Sequence, residues 1–273
     1  MGLSKAGKTQ TGAEAAVFDQ EGTPTSWDDD YYHPIAVAYY DAAIPEMLSE
    51  MGVRPGDRVL DAGCGPGVHS IRAAKFGCEV TAIDLSTTML RHAADRAKAA
   101  GVADRITFRQ CDITRPDLDD TFGFVFSWGV LIHVPDTEAA LDGVASLVAP
   151  GGTLAVQILT ERSFDFRLER LLRSALRRPF KEPVDTALGS GNWYTFGDER
   201  LWVLRFDMAA LDEAMKARGF ALVSRRTAEF SEFQRRLPEA LRRPLLRLNS
   251  LLFRRRAGTD LSATQIVIYR REN

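Results

Sequence analysis

Cysteine and long apolar runs are both scarce in this sequence of 273 residues. The 3 cysteines form an odd number without the paired spacing of a metal site, so we expect buried free thiols, a cytoplasmic location and no bound metal. No apolar run reaches the roughly 18 residues that a membrane-spanning helix requires. Residues 1–25 lack the apolar centre of a secretory signal, and we expect residues 1–30 to form a flexible tail.

The chain also lacks a large excess of charge of either sign. Its 35 lysines and arginines nearly balance its 37 aspartates and glutamates, which gives a formal net charge of −2. That balance argues against a nucleic-acid partner, because such partners favour a strongly basic protein surface. Hydrophobic residues make up 45% of the chain, a composition typical of a globular protein. Length and composition together fit one α/β domain with insertions.

Short apolar runs alternate with helical patterns between residues 55 and 160. The predicted strands are RVLDAG, EVTAID, ITFRQCD, FGFVFSW and TLAVQIL, and ALVSRRTAEF and ATQIVIYRR follow near the end of the sequence. Strands that alternate with helices predict a parallel sheet with helices on both faces. A helical pattern from Tyr31 to Met51 precedes them, and Pro45 is expected to interrupt it. We expect one domain over residues 31–273.

Three glycines, Gly63, Gly65 and Gly67, directly follow the first of these strands. Glycines between a strand and a helix let backbone N–H groups approach a bound ligand closely. Two ligand classes use such a turn, dinucleotides and S-adenosylmethionine. The spacing here is G-x-G-x-G, whereas dinucleotide sites use G-x-G-x-x-G. Asp61 precedes the turn, where a carboxylate would repel a pyrophosphate but attract an ammonium group. The sequence therefore favours S-adenosylmethionine, which carries an ammonium group, over a dinucleotide.

Two further aspartates end the second and third predicted strands. Asp84 ends the second, where a carboxylate can accept hydrogen bonds from both hydroxyls of a ribose. Because adenosine is common to both ligand classes, Asp84 alone does not discriminate between them. Asp112 ends the third strand, where it can accept from an adenine amino group or cap a turn, and the adjacent Ile113 can pack on the ring.

Together these motifs resemble those of the class I S-adenosylmethionine-dependent methyltransferases over about residues 55–160. VLDAGCGPG matches the first motif, AIDLS the second, and QCDI and SWGVLIHVPD the third and fourth. The resemblance implies a Rossmann-like, doubly wound sheet of seven mostly parallel strands, with an antiparallel last strand and helical lid insertions. It implies S-adenosylmethionine as cofactor, S-adenosylhomocysteine as product and a small-molecule acceptor. The cofactor-binding residues that it implies are Tyr32 or Tyr40, Asp61, Gly63, Cys64, Gly65, Gly67, Asp84, Leu85, Met89, Asp112, Ile113, Ser127 and Trp128.

Histidines supply the candidates for a catalytic base, which methyl transfer needs only when the acceptor is a hydroxyl or a protonated amine. His133, between the fourth strand and the next helix, is the first candidate, and its alternative role is in packing or in starting that helix. His33, near the predicted N-terminal lid, is the second candidate. His69 begins the helix after the glycine turn, where the helix dipole disfavours positive charge, so a neutral ring is expected.

Two insertions depart from the alternating pattern, at about residues 161–206 and 231–258. The first predicts an acceptor lid, made of an arginine-rich amphipathic helix and a loop-rich stretch. Its aromatic residues would line the acceptor pocket: Trp193, Tyr194, Phe196 and Trp202. The second predicts a basic helical segment, because residues 230–257 carry 8 arginines against 2 glutamates. Basic amphipathic helices can pack on the active site, contact an anionic membrane or lipid, or bind an anionic acceptor.

Three functions therefore remain open from the sequence. The first is an O- or N-methyltransferase for small molecules, including secondary metabolites. The second is a methyltransferase for a lipid-linked or anionic acceptor at a membrane surface. The third is a non-catalytic cofactor-binding protein. The sequence also leaves open whether the protein is a monomer or a homodimer.

Overall fold

The computed structural model describes residues 17–18, 34–177, 182–196, 199–233 and 237–273. Its helices are α1 (Pro34–Met51), α2 (Val68–Phe76), α3 (Thr87–Ala99), α4 (Thr137–Ser146), α5 (Phe164–Ala175), α6 (Met208–Ala217) and α7 (Glu239–Arg255). Its strands are β1 (Arg58–Ala62), β2 (Glu79–Asp84), β3 (Ile106–Gln110), β4 (Phe122–Trp128), β5 (Val148–Leu159), β6 (Val184–Thr186), β7 (Gly189–Phe196), β8 (Glu199–Phe206), β9 (Phe220–Glu229) and β10 (Thr264–Arg271).

Seven of these strands form the main sheet in the order β3-β2-β1-β4-β5-β10-β9. The strands β1 to β5 pair in parallel, whereas β10 runs antiparallel to both β5 and β9. The predicted Rossmann-like sheet with an antiparallel last strand is therefore confirmed. Its strand order reverses between the adjacent strands β1 and β4. Open α/β sheets bind ligands at the carboxyl ends of the strands at such a point.

Buried side chains cover both faces of this sheet, as expected for parallel strands that read as continuous apolar runs. Helices α1 and α2 pack on one face, and α4 and α6 cover the other. The three cysteines, Cys64, Cys78 and Cys111, are buried free thiols, as the sequence predicts. None of the helices within the described part of the chain is both long enough and apolar enough to cross a bilayer.

Helix α1 differs from its sequence prediction, because it continues through Pro45 to Met51. A proline inside a helix costs about 3 kcal/mol, since it removes one hydrogen bond and crowds the preceding turn. The side chains of Ile44, Met47 and Leu48 are fully buried around that position. Each such burial contributes about 1.5–3 kcal/mol, and together they outweigh the cost of the proline.

The stretch predicted to be loop-rich within the first insertion instead forms a second, three-stranded antiparallel sheet in the order β6-β7-β8. Gly189, with φ of +138°, allows the sharp entry into β7. Trp193 of β7 lies directly opposite Trp202 of β8, and their ring centroids are 5.3 Å apart. Cross-strand aromatic pairs stabilise antiparallel sheets, so this pairing fixes the register of the two strands.

Candidate functional site

The carboxyl ends of β1, β2, β3 and β4 surround one cavity of about 1000 Å³, a volume that includes its open mouth. The predicted site residues that line it are Asp61, Gly63, Cys64, Gly65, Asp84, Leu85, Met89, Asp112, Ile113, Trp128 and His133. The sequence motifs therefore meet in space, because the ends of neighbouring parallel strands share one edge of the sheet.

The three glycines of the turn serve different purposes. A Cβ atom on Gly63, whose φ is +85°, would lie 2.4 Å from Cγ2 of Val130, and one on Gly67, whose φ is +79°, would lie 2.7 Å from Cβ of Ala93. These two glycines therefore allow close packing of the turn and the start of α2. Gly65 lines the cavity, and a Cβ there would meet no atom of the described residues within 4 Å. Its backbone is the part of the turn that a ligand can approach.

Asp84 connects the tip of β2 to the glycine turn. Its Oδ2 accepts a hydrogen bond of 2.8 Å from the backbone N–H of Gly65, and its Oδ1 accepts one of 2.9 Å from that of Ser86. These bonds hold the carboxylate at the wall of the cavity.

Asp61 is buried at the end of β1, where only 2% of its surface is exposed. The hydroxyl of Ser70 in α2 donates to its Oδ2 over 2.6 Å. Burial raises the pKa of this carboxyl from 3.8 to about 7, the hydrogen bond from Ser70 opposes that rise, and the negative charge of Asp84 adds to it. A cation placed beside Asp61 would favour its ionised form.

Asp112 closes a tight turn after β3. Its Oδ1 accepts hydrogen bonds from the backbone N–H of Thr114 at 2.8 Å and from the hydroxyl of Thr114 at 2.7 Å. This is the turn-capping role that the sequence left open beside adenine recognition. The two roles are compatible, because Oδ2 of Asp112 accepts no hydrogen bond from the described residues.

An aromatic cluster stands beside the glycine turn. The rings of His69 and Trp128 both line the cavity and their centroids are 4.9 Å apart. Tyr40 packs edge-on against both rings, at 5.3 Å and 6.0 Å, and is absent from the lining. Burial, followed by the charge of Arg72, lowers the pKa of His69 well below 6.5, in agreement with the predicted neutral ring.

His133 links the cavity to the second sheet. It ends a short 3₁₀ turn after β4, and its Nδ1 lies 2.9 Å from the backbone oxygen of Trp202 in β8. A carbonyl oxygen only accepts hydrogen bonds, so Nδ1 must carry the proton. In the neutral ring this leaves the lone pair on Nε2, which is the tautomer of a general base.

The remaining predicted residues lie elsewhere. Ser127 turns away from the cavity and donates to the backbone oxygen of Ala62 over 2.8 Å. The side chains of Trp193 and Trp202 pack on each other, whereas Tyr194 is 43% exposed. None of these three aromatic residues lines the cavity. The predictions for Tyr32, His33 and the side chain of Phe196 lie outside the described residues.

Among the lining residues that the sequence did not predict, Phe18 is the one most distant in sequence from the rest of the site. Its ring lies 6.0 Å from that of His133, and its backbone oxygen accepts a 3.0 Å hydrogen bond from the hydroxyl of Ser86. The neighbouring Val17 is 1% exposed. These two residues fall within the segment predicted to be a flexible tail, where no periodic pattern indicates a contact with a site more than 60 residues away.

The sheet order, the glycine turn and the acidic strand ends form an open α/β domain with a cavity at the carboxyl ends of its strands. Residues 59–152 match the family described as "Methyltransferase domain". This match covers about a third of the chain and places residues 59–152 among methyltransferase domains. Groups of three or more histidine, cysteine, aspartate or glutamate side chains arranged to hold a metal ion are absent from the described residues.

Relatives agree with this assignment over part of their length. The chain is 35% identical over 114 residues to a ubiquinone biosynthesis O-methyltransferase of Xanthomonas campestris. The matched region covers 42% of this chain and 48% of the relative. It is 39% identical over 112 residues to the 27-O-demethylrifamycin SV methyltransferase of Amycolatopsis mediterranei. That match covers 40% of this chain and 41% of the relative. The chain spans between a third and a half of the length of the curated relatives it matches.

The fold extends further than the sequence similarity. The crystal structure of magnesium protoporphyrin IX methyltransferase from Synechocystis PCC 6803, with bound S-adenosylhomocysteine, superposes with a TM-score of 0.63 at 18% identity. The match covers 94% of this chain and 98% of that chain.

Proposed function

We propose that this protein transfers a methyl group from S-adenosylmethionine to an oxygen or nitrogen atom of a small-molecule acceptor, by direct in-line displacement. The observation that carries the proposal is one cavity in which a glycine turn meets three aspartates: Asp61, Asp84 and Asp112. These groups match the polar parts of the cofactor, which are an ammonium, a ribose diol and an adenine amino group.

Each aspartate suits a different part of that ligand. Asp84, which two backbone N–H groups hold in place, would accept hydrogen bonds from the ribose hydroxyls. Oδ2 of Asp112 would accept a hydrogen bond from the adenine amino group, and Ile113, Leu85 and Met89 would supply apolar surface for the ring. Asp61 would hold the ammonium, whose charge would compensate the cost of ionising a buried carboxyl. The residues present therefore fit the group.

When bound, the cofactor supplies a methyl group that is already activated on a sulfonium. The chain itself must align the acceptor, exclude water and take up a proton when the acceptor is a hydroxyl. That methyl group would pass to the acceptor lone pair, and the cofactor would be left as a neutral thioether. Nε2 of His133 takes the hydroxyl proton, because Nδ1 is committed to Trp202.

The acceptor class follows from the walls near His133. Phe18, whose ring lies 6.0 Å from that of His133, and the sequence neighbours Val130 and Val134 give that part of the cavity an apolar surface. Apolar walls with few polar groups favour a hydrophobic acceptor that carries one reactive hydroxyl or amine. The names of the two relatives, a ubiquinone biosynthesis enzyme and a rifamycin methyltransferase, support an O-methylated acceptor of this kind.

The test is turnover. The purified protein is incubated with S-adenosylmethionine and pools of phenols, macrocyclic alcohols and amines, and formation of S-adenosylhomocysteine is measured by mass spectrometry. We expect stoichiometric product and methylated acceptor from at least one pool of apolar hydroxyl compounds. Tight cofactor binding with no turnover in any pool would favour the non-catalytic cofactor-binding protein and contradict the proposal.

His133→Asn is expected to lower kcat for a hydroxyl acceptor by about a hundredfold, the typical contribution of a positioned general base. Asparagine keeps an N–H donor near the position of Nδ1 and so preserves the contact with Trp202, but it has no basic nitrogen. Cofactor Kd, measured by calorimetry, serves as the control and should stay unchanged. Full activity in the variant would leave His133 with a packing role.

A further inference from the structure

Helix α5 exposes its apolar face to solvent. Phe164, Leu168, Leu171, Leu172 and Leu176 share one side of the helix and the residue that follows it, as the spacing of 3.6 residues per turn requires. Phe164, Leu171, Leu172 and Leu176 are 43%, 66%, 49% and 63% exposed. Surface helices of globular domains ordinarily bury this side, and here the protein buries only Phe166, on the opposite side. The apolar side of α5 is therefore available to a partner.

Helix α7 also carries leucines that are exposed at its surface. Leu246, Asn249 and Phe253 are buried against the domain. Leu241 and Leu248 of the same helix are instead 57% and 38% exposed, and Leu251 is 47% exposed. Helix α7 thus has a second group of apolar side chains, and this group faces outward.

The two helices emerge at the same edge of the main sheet. Helix α5 follows the carboxyl end of β5, and the segment after β9 joins both helices. Oδ2 of Asp165 in α5 accepts a 2.6 Å hydrogen bond from the backbone N–H of Glu232. Oδ1 of Asn249 in α7 accepts from the backbone N–H of Phe230 at 3.0 Å, and the rings of Phe164 and Phe230 stack at 6.0 Å. This is also the edge that holds the cavity.

Arginines surround the exposed leucines. Arg167 and Arg170 of α5 and Arg247, Arg254 and Arg255 of α7 are exposed. Residues 239–256 carry six arginines and a single glutamate, although the whole chain has a net charge of −2. Positive charge is therefore concentrated where the exposed apolar surface lies. A helix with apolar side chains on one side and arginines beside them is the type that lies in the interface of an anionic membrane.

We infer that α5 and α7 form a docking surface for an anionic lipid bilayer, which we call the leucine–arginine surface: Leu171, Leu172 and Leu176 of α5 and the segment after it, Leu241, Leu248 and Leu251 of α7, and the exposed arginines beside them. An isologous dimer is a poorer occupant, because a two-fold contact would place each set of arginines against its own copy. Docking at this edge would present the mouth of the cavity to apolar molecules dissolved in the membrane.

Co-sedimentation with vesicles tests this inference without any need for turnover. The full chain is mixed at low salt with vesicles of phosphatidylcholine alone, or of phosphatidylcholine and phosphatidylglycerol in equal parts. We expect binding to the mixed vesicles, at least tenfold weaker binding to the neutral ones, and loss of binding in high salt. The combined variant Leu171→Ser, Leu172→Ser and Leu176→Ser should reduce the affinity for mixed vesicles at least tenfold. Because these leucines are exposed, its melting temperature and cofactor Kd should match wild type.

The controls use exposed apolar and charged side chains outside the leucine–arginine surface. Leu222 and Val223 of β9 are 45% and 46% exposed, and their replacement by serine should leave vesicle binding unchanged. Arg167→Gln with Arg247→Gln should weaken binding to mixed vesicles, whereas Arg109→Gln with Lys216→Gln should not. Failure of wild type to bind the mixed vesicles would overturn the inference. So would equal losses in the control variants, or a wild-type dimer that ignores vesicles and dissociates when the three leucines are replaced.

Discussion

Asp84→Ala is expected to raise the Kd for S-adenosylmethionine at least a hundredfold, measured by calorimetry. The carboxylate would accept two ribose hydroxyls, and a hydrogen bond to a charged group contributes about 1.5–3 kcal/mol. Together, two such bonds contribute more than the roughly 2.8 kcal/mol that corresponds to a hundredfold change in affinity. The same side chain also holds the backbone N–H groups of Gly65 and Ser86, so its loss also loosens the turn that borders the cavity.

Two controls separate ribose recognition from this scaffolding role. Asp120, an exposed aspartate paired with Arg58 away from the cavity, should tolerate replacement by alanine with no change in cofactor Kd. The second control compares 5′-deoxy-5′-methylthioadenosine with its 2′-deoxy analogue. Wild type should prefer the compound with both hydroxyls about tenfold, and Asp84→Ala should bind the two equally. A variant that still prefers the diol would show that another group recognises the ribose.

The parts of the site that the sequence predicts are those that depend on local pattern. The glycine turn, Asp61 and Asp84 each follow an apolar strand, and adjacency of parallel strands is enough to bring their ends together. The turn at Asp112 belongs to the same group, because an aspartate caps a turn two residues on by a local hydrogen bond. For these residues, the position in the site follows from the order of the strands alone.

The parts that the sequence does not predict depend on contacts between distant residues. His133 acquires its tautomer from a carbonyl at Trp202, 69 positions later. Tyr40 is placed behind Trp128 and His69 by the packing of α1 on α2, and nothing in its own segment distinguishes it from a lid residue. The second sheet forms because Trp193 and Trp202 pair across strands, which a stretch rich in glycine and polar residues does not indicate.

Asp61 also makes the stability of the free protein depend on pH. Its folded pKa of about 7 lies above the value of 3.8 expected for an unfolded chain. Between about pH 4 and 7 the folded state therefore holds a proton that the unfolded state releases, and stability falls as the pH rises through this window. The full cost, present above about pH 7, is about 4 kcal/mol at about 1.4 kcal/mol per pH unit. Asp61→Asn should accordingly be more stable than wild type above about pH 7, measured by urea unfolding.

The same proton couples cofactor binding to pH. The ammonium of S-adenosylmethionine favours the ionised form of Asp61, so binding below about pH 7 must displace the proton. We expect the Kd to fall roughly tenfold from about pH 5.5 to about pH 6.5, and to level off above about pH 7. Calorimetry in buffers of different ionisation enthalpy should detect the release of nearly one proton per cofactor bound at about pH 6.

The matched ligand for this experiment is 5′-deoxy-5′-methylthioadenosine, which keeps the adenosine and lacks the ammonium. Its Kd should be the same across the whole range, and Asp61→Asn should remove the pH dependence for S-adenosylmethionine while weakening its binding. If the Kd of both ligands depended on pH, the titrating group would lie near the adenosine instead. If neither Kd depended on pH, Asp61 would not contact the ammonium. The expected result would mean that the buried aspartate costs stability in the free protein, and that the charge of the bound cofactor offsets this cost. Asp61 would then select a cationic ligand over a pyrophosphate, because a nearby cation favours its ionisation and a nearby anion opposes it.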